Sequence, residues 1–355
     1  MRTMRAQVLV EPRNFQLKEV PVPEINDDEV LIKIKYCGIC GSDWGSYNGK
    51  YADEVACLPL TTGHEFFGTI EELGKNSKGL KIGDRVSADI VIPCGTCYHC
   101  RIGEPLLCSN FKQIGIHLPG GFAEYVKVPW KNVYVVPDGV SDEKAAFIEP
   151  LTACLNASKK MNCEIARSVV IIGCGLGIIH GALAKLRGAA PVIVVGDNAD
   201  RLQMAKEMCA DYTININEIK DPVAEVMRLT NGIGADYVLE AVGHHSTYEE
   251  AFQMVRRGGK VEAFGICADD DYASLPPAQF VLGEKKISGS CAGIAYDWGD
   301  AISLLNYNRI DPTPMISMIV PLEELEPALK EIRTNQKLIK VLVSPLVHER
   351  TILYK

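Results

Sequence analysis

The sequence predicts an α/β chain in two parts, a barrel-like, mostly antiparallel β unit and a doubly wound parallel sheet. Three observations lead there. The 355 residues suffice for about two domains. The first 150 residues are rich in short β-patterned runs broken by turns. From about residue 168, strand and helix patterns alternate regularly.

In chain order, "AQVLVEP", "DEVLIKIKYCG", "GTIEELG", "DRVSADIVI" and "AEYVKVP" supply the β unit. "SVVIIG" is then a buried-strand pattern, and "GIIHGALAKLRG" a helix with glycines at each end. "PVIVVG" is another strand, followed by "NADRLQMAKEMCAD", a helix opening on capping-type Asn and Asp. The alternation continues through "ADYVLEAVG", "TYEEAFQMVRRGG", "KVEAFGI" and "KKISGS"; the whole is read as six strands with intervening helices, five of the strands marked by these segments. After about residue 291 come a helix, "DWGDAISLLNYN", then "ALKEIRTN" and a closing strand, "KVLVSPL". These are expected to return to the first part, so that residues 1–152 and 292–355 form one domain and 153–291 the other.

The bulk properties exclude several classes. The chain is 47% hydrophobic and 23% charged, ordinary for a soluble globular protein. "MRTMRAQVLVEPRN" has no apolar core of a secretory signal, and no run reaches the roughly 18 apolar residues of a membrane span. A net charge of −8, from 37 basic and 45 acidic residues, with no basic stripe, argues against nucleic acid or anionic membrane as partner. A reducing cytoplasm is the expected setting, where disulfides are rare and clustered cysteines bind metal more often.

"CGTCYHCRIGEPLLC", residues 94–108, packs four of thirteen cysteines into one short stretch with C-x2-C-x2-C-x7-C spacing. Cys94, Cys97, Cys100 and Cys108 can surround one tetrahedral Zn2+; disulfides, an Fe–S cluster or plain buried cysteine compete with that reading. Four thiolates fill the coordination sphere, so the role is structural and the chemistry belongs elsewhere. His99, inside the lobe, is read as a surface residue.

"VVIIGCGLGIIHGALAKL" joins a strand to a helix, with Gly173, Gly175 and Gly177 in the turn. A dinucleotide loop needs glycine for the tight turn, for close approach to pyrophosphate and for helix packing, with the helix N-terminus facing the phosphates. The usual spacing is G-x-G-x-x-G, and here Ile178 stands at the third position. The residues expected to meet the cofactor are Gly173, Gly175, Leu176, Gly177, Asp197, Arg201 and Val242. Asp197, twenty-four residues after Gly173, is the candidate acid for the ribose hydroxyls. Counting back from "RL" of the next helix puts Gly196 at the acidic site instead. NAD is favoured, with NADP left open.

"YCGICGSD", "TGHEFFG" and "FIEPLTACLNA" each offer a zinc ligand: Cys40, His64 and Glu149, with Glu65 able to replace or share with Glu149. A thiolate, an imidazole and a carboxylate leave one tetrahedral position for water or substrate.

With these stretches in place, the chain resembles the zinc-dependent medium-chain dehydrogenase/reductase superfamily, most nearly its polyol (sorbitol-type) dehydrogenases. "CGICGSD", "GHEFFGTI", "KIGDRV", the cysteine lobe, "GGFAEYVKVP", "IEPLTACLNA" and the nucleotide domain run in family order across almost the whole chain. The resemblance implies a GroES-like catalytic domain plus a Rossmann domain, with the active site between them. It implies two zinc ions per chain and interconversion of a polyol or secondary alcohol with its ketone or aldehyde. Cys40, His64 and Glu149 would hold the catalytic zinc, with Glu65 a ligand or neighbour. Ser42 would take the substrate proton, Asp43 would orient the zinc-bound histidine, and the four lobe cysteines would hold the second zinc. A homodimer or homotetramer is implied as well.

There are departures. Gly45 stands where many relatives carry a histidine that ends the proton relay. The glycine loop is a residue short and the acidic position displaced. Cys37 matches no ligand and is read as packing. In the expected substrate loop, "WGSYNGKYADEVACLP", Tyr47, Lys50 and Tyr51 stand out; Lys50 would meet an anionic substrate group or simply be solvated. Threonine- and butanediol-type dehydrogenases share such a site. A zinc-free reductase on the same fold would not need Cys40, His64 and Glu149 together, and a non-catalytic cofactor binder would not need Ser42. No role is assigned to His180, His244 or His245.

Overall fold

A computed structural model describes residues 2–50, 55–268 and 270–354. The chain divides into two compact units, Met1–Thr152 with Gly293–Lys355, and Ala153–Ala292.

The first unit is built on an eight-stranded sheet. At its centre lies Glu29–Gly38, whose Val30, Leu31, Ile32 and Ile34 are wholly buried. It pairs antiparallel with Glu65–Leu73, Tyr125–Pro129 and Lys340–Ser344. A three-stranded sheet orders Asn14–Pro21, Thr3–Glu11 and Leu60–Thr61. Of the strands that escape the sequence reading, the two longest lie in this unit. Asn14–Pro21 is largely exposed, so it lacks the apolar alternation that marks a strand. Ile316–Pro321 is buried at every position and pairs parallel to Lys340–Ser344, with helix Leu325–Thr334 as the crossover. This unit is therefore antiparallel with one parallel pair, joined by the kind of helical crossover that parallel strands require.

Register decides where the chemistry goes. Gly38 pairs with both Glu65 and Leu342, so three neighbouring strands turn at the same end of the sheet. Cys40 follows the end of the first, His64 precedes the start of the second, and Lys340 begins the third.

The second unit is a six-stranded, all-parallel sheet. Its order runs Tyr212–Asn215, Val192–Gly196, Val169–Ile172, Ala235–Glu240, Val255–Ala263, Lys286–Gly289. Numbered along the chain this is 3-2-1-4-5-6, the doubly wound dinucleotide order, with the crevice expected beyond the carboxyl ends of the first and fourth strands. Both flank that point here: the glycine loop follows Val169–Ile172, and Val242 follows Ala235–Glu240. Gly173 takes φ +111°, and a Cβ there would meet Val242 Cγ2 at 3.1 Å, so the two turns are in contact.

The turn after Ala235–Glu240 is organised by one carboxylate. Glu240 is completely buried and accepts bonds from the backbone N–H groups of Val242 (2.8 Å) and Gly243 (2.9 Å) and from Thr247 Oγ1 (2.8 Å). Replacing it strands these donors. Glu240→Ala is expected to lower stability by about 2–4 kcal/mol, the cost of leaving buried donors unpaired. Urea denaturation checks this; an unchanged midpoint would mean water replaces the carboxylate at no loss.

Candidate active site and metal centres

The strand end at Gly38 leads directly into helix Gly41–Tyr47, with Cys40 as its N-cap. Asp43, in the first turn, accepts the Cys40 backbone N–H at 2.7 Å and so fixes the entry of the helix. A carboxylate there also suits the positive end of the helix dipole. Across the sheet end, Gly63 shapes the approach to His64. Its φ is +95°, and a Cβ would fall 2.8 Å from the Phe122 ring and 2.9 Å from Cys37 Sγ. Cys37 is thus a packing residue, fully buried beneath this turn.

Cys40, His64 and Glu65 each bring a ligand atom to within 4.8 Å of one another. Ser42 Oγ lies 3.4 Å from His64 Nε2, and Asp43 Oδ1 lies 3.8 Å from His64 Nδ1. That Nδ1 is buried and makes no hydrogen bond. Glu149 reaches the group from the first turn of helix Ile148–Met161. It is buried and interacts with His64, Glu65 and Lys340, but it lies outside the tight Cys40–His64–Glu65 cluster.

The electrostatics of this pocket are those of an anionic cage. Burial alone would push His64 down, yet the Cys40 sulfur, Asp43 and Glu149 outweigh it and hold the imidazole well above its ordinary value. Burial raises Asp43 to about 6 and Glu149 to about 7 despite the opposing pull of His64. A half-buried thiol with a buried imidazole and buried carboxylates that favour added positive charge forms a donor set suited to Zn2+.

Glu65 is not idle in that cage. Lys340 Nζ donates to both its carboxylate oxygens, at 2.6 and 2.8 Å, and to the Ile39 carbonyl at 3.1 Å. The pair is almost fully enclosed, Glu65 1% and Lys340 4% exposed. Glu65 also crowds the backbone of Gly38, where a Cβ would stand 2.1 Å from its Oε2. Nothing in the sequence singles out Lys340, a lysine opening a strand 275 residues from its partner.

The lobe cysteines also converge. Cys94, Cys97, Cys100 and Cys108 have mutually close sulfurs, with Cys97 and Cys100 at 3.5 Å. Thiolates on a tetrahedral zinc stand about 3.8 Å apart, from Zn–S bonds of about 2.3 Å, whereas a disulfide requires about 2.05 Å. None of the thirteen cysteines is disulfide-bonded, which removes the disulfide reading. The backbone N–H groups of Cys94 and Asn110 donate to Cys108 Sγ at 3.2 and 3.4 Å. Backbone amides of Thr96 and Cys97 bring Cys94 down to about 6, while burial and shared protons with Cys97 and Cys108 push Cys100 up to about 12. The lobe is closed at its base by a two-residue ribbon, Val91–Ile92 against Lys112–Gln113.

Other predicted residues land differently. Tyr47 is not a substrate-loop residue: it is buried, stacks on Phe15 and Trp44, and donates to Glu326 at 2.9 Å. Lys50 is exposed, and Tyr51 lies outside the described residues. His99 is half-exposed and 3.7 Å from Glu104. His180 is buried against Phe264, and burial lowers it to about 3, so it stays neutral. His244, His245 and Asp271 also cluster, but as a turn lock. Asp271 accepts the His245 backbone N–H and bonds its Nδ1, and His244 Nδ1 caps helix His245–Met254 by accepting from Ser246.

In the second unit, Asn198 caps helix Ala199–Met208 by accepting from the Arg201 N–H at 3.0 Å. Asp197 is exposed immediately beyond strand Val192–Gly196.

The chain is 36% identical, over 330 residues, to L-threonine 3-dehydrogenase of Bacillus subtilis, spanning 90% of this chain and 92% of that one. Residues 26–138 match the alcohol dehydrogenase GroES-like domain and residues 175–306 the zinc-binding dehydrogenase domain. The chain belongs to the zinc-binding dehydrogenase family. Within it, the protein falls in the polyol branch of the medium-chain superfamily. It is 35% identical to sorbitol dehydrogenase of Halalkalibacterium halodurans, over 94% of this chain and 96% of that one. The fold of a zinc-binding dehydrogenase from Sinorhizobium meliloti, bound to NADP, superposes with TM-score 0.91 at 30% identity, covering 97% of this chain and 100% of the other. This dehydrogenase is accordingly an oxidoreductase with a GroES-like unit and a Rossmann unit. Among the described residues, no helix is long and apolar enough to cross a membrane.

The Glu65–Lys340 pair gives a direct test. Lys340→Met leaves a carboxylate enclosed without its counter-ion and is expected to destabilise the protein by about 3–5 kcal/mol. Lys340→Met combined with Glu65→Gln should recover most of that loss. Urea midpoints of the two variants decide; equal losses would show that the pair matters for packing rather than charge.

Proposed function

We propose that this protein is a zinc-dependent, nicotinamide-linked dehydrogenase that interconverts a polyol or secondary alcohol with its ketone. The observation that carries the reading is the convergence of Cys40, His64 and Glu65 at one sheet end, with Glu149 interacting with them and the Ser42 hydroxyl 3.4 Å from His64. Cys40, His64 and Glu149 would hold the catalytic zinc, and Cys94, Cys97, Cys100 and Cys108 the structural one. Glu65, engaged by Lys340, supports the cage from behind. The zinc supplies a Lewis acid that makes a bound hydroxyl more acidic, and the dinucleotide supplies the hydride acceptor.

The chain's own residues do the rest. Ser42 Oγ accepts the proton released by the substrate. With Gly45 where a histidine would continue the relay, the proton passes on from Ser42 to water, a cofactor hydroxyl or another side chain. Asp43 holds both the helix start and the electrostatic orientation of His64. Gly173, Gly175, Leu176 and Gly177 present backbone to the pyrophosphate at the N-terminus of helix Gly177–Leu186, and Asp197, Arg201 and Val242 flank it. Asp197 favours NAD, whereas the S. meliloti neighbour holds NADP. Homo-oligomeric assembly and a cytoplasmic setting belong to the same reading, supported by the family resemblance and by cysteines that form no disulfide.

The enclosed carboxylates favour a polar, multiply hydroxylated substrate. A threonine-type amino alcohol is the second reading, favoured by the 36% identity to a threonine dehydrogenase. Initial rates of nicotinamide reduction over a panel of polyols, amino alcohols and diols, with NAD and NADP, separate the two. Turnover abolished by chelator and restored by zinc is expected; none across the panel in zinc-loaded protein would sink the reading. Metal analysis should give two zinc ions per chain, falling to one in Cys100→Ser. Ser42→Ala should lower kcat by about 10²–10⁴, the usual worth of positioned proton transfer, with a smaller change in KM.

A further inference from the structure

The turn lock at His244, His245 and Asp271 leaves two ring nitrogens unused. One ligand atom from each of the three residues lies within 4.8 Å of the others, and the imidazole centroids stand 4.2 Å apart. Each ring has an acceptor beside its Nδ1: Ser246 Oγ at 2.9 Å for His244, and Asp271 Oδ1 at 2.5 Å for His245. Among the described residues neither Nε2 has a hydrogen-bond partner. A proton on Nδ1 leaves the lone pair on Nε2, the form in which imidazole binds a metal. Pointing that proton at Ser246 Oγ costs His244 only the long 3.3 Å bond it accepts from the Ser246 backbone N–H.

The backbone around the cluster is already fixed. Thr247 Oγ1 donates to the His244 carbonyl at 2.8 Å. Gly243 has φ +79°, and a Cβ there would stand 2.6 Å from the Ile266 carbonyl oxygen, so the turn packs on the segment that leads to Asp271. Beyond Asp271, the Ser274 N–H donates to Glu249, in helix His245–Met254, at 2.8 Å. Ligands held this way give up little freedom when an ion binds. A helix N-terminus by itself disfavours a cation. Here Asp271 answers that end first: its Oδ2 accepts the His245 backbone N–H at 3.0 Å, and its charge acts on both imidazoles.

We propose that His244 and His245 form a third, exchangeable site for a divalent transition cation, with Asp271 as the carboxylate that orients His245. Two imidazoles, with water in the remaining positions, select Ni2+, Cu2+ or Zn2+ over Mg2+ and Ca2+. Through Asp271 the ion braces the turn after Ala235–Glu240 against the loop after Val255–Ala263. Solvent reaches the site, where the His245 side chain is 42% exposed. The ion therefore exchanges with buffer and adds nothing to the count of firmly held zinc.

The test uses protein with both zinc sites filled and loose metal removed by gel filtration. Ni2+ is titrated by calorimetry into wild type, the double variant His244→Asn, His245→Ala, the variant Asp271→Asn, and a control, His348→Ala, at an exposed histidine elsewhere. Asn at position 244 keeps a helix cap while removing the imidazole. Wild type and control should each take up one nickel ion per chain, with no zinc released. The double variant should lose that equivalent. Asp271→Asn should weaken it by about 10- to 100-fold, the usual worth of a partner behind a metal-bound histidine. Cu2+ in place of Ni2+ should show nitrogen splitting from two imidazoles in its electron paramagnetic resonance spectrum.

No further equivalent in wild type, or an equal one in the double variant, overturns the proposal. Mg2+ binding as tightly as Ni2+ does the same, and Asp271→Asn binding as well as wild type overturns the role of Asp271. Thermal unfolding checks that each variant is folded. Should the double variant fail that check, His245→Gln alone decides, since it must reduce the copper signal to one imidazole.

Discussion

The catalytic unit depends on a buried ion pair. Lys340 and Glu65 give up hydration that the interior cannot return in full, and such pairs seldom add net stability over apolar packing. What this pair does instead is fix geometry. Lys340 bonds both oxygens of Glu65 and the carbonyl of Ile39, so three neighbouring strand ends are held to one another within a few ångströms. Those are the ends from which Cys40 and His64 emerge. The lysine also places a permanent positive charge behind an otherwise anionic cage, where Cys40, Asp43 and Glu149 crowd His64.

The two metal-suited clusters are built on opposite principles. In the lobe, ligands lie within fifteen consecutive residues, and backbone amides pointing at sulfur do much of the organising. That information is local, and it is legible as cysteine spacing. At the other cluster, Cys40, His64 and Glu65, with Glu149 nearby, come from separate segments, and each alone is an ordinary residue in its own stretch. Their common purpose is readable only through the family order of motifs. Lys340 is not readable at all: a lysine opening a strand looks like any solvated one until the fold brings its ammonium, from across the central strand, to Glu65.

The misreadings have the same origin. Tyr47 sits in a polar, glycine-rich stretch that looks like a loop, yet a short helix turns its ring inward against Phe15 and Trp44. Asn14–Pro21 is a strand because Thr3–Glu11 offers it a complete ladder, not because its own side chains seek burial. Ile316–Pro321 is the reverse case, a run so uniformly apolar that it carries no period. The parallel sheet is far more legible, since each strand and helix repeats a local pattern. Even there, the short glycine loop and displaced acid look like two separate departures, whereas a Cβ on Gly196 would lie 2.5 Å from Cys174 Sγ, which makes them neighbours.

The position of Lys340 late in the chain also sets an order of assembly. During synthesis the Ala153–Ala292 unit has all six of its strands before the chain reaches residue 300. The other unit by then has its central strand and the Glu65 carboxylate, but neither Lys340 nor the parallel strand pair that carries it. An emerging chain therefore holds a finished domain beside a half-built one whose buried acid has no counter-ion. Maturation of the catalytic unit is a late event, closed by the segment Gly293–Lys355. Nascent chains halted before that point would present an open sheet edge for chaperones to cover.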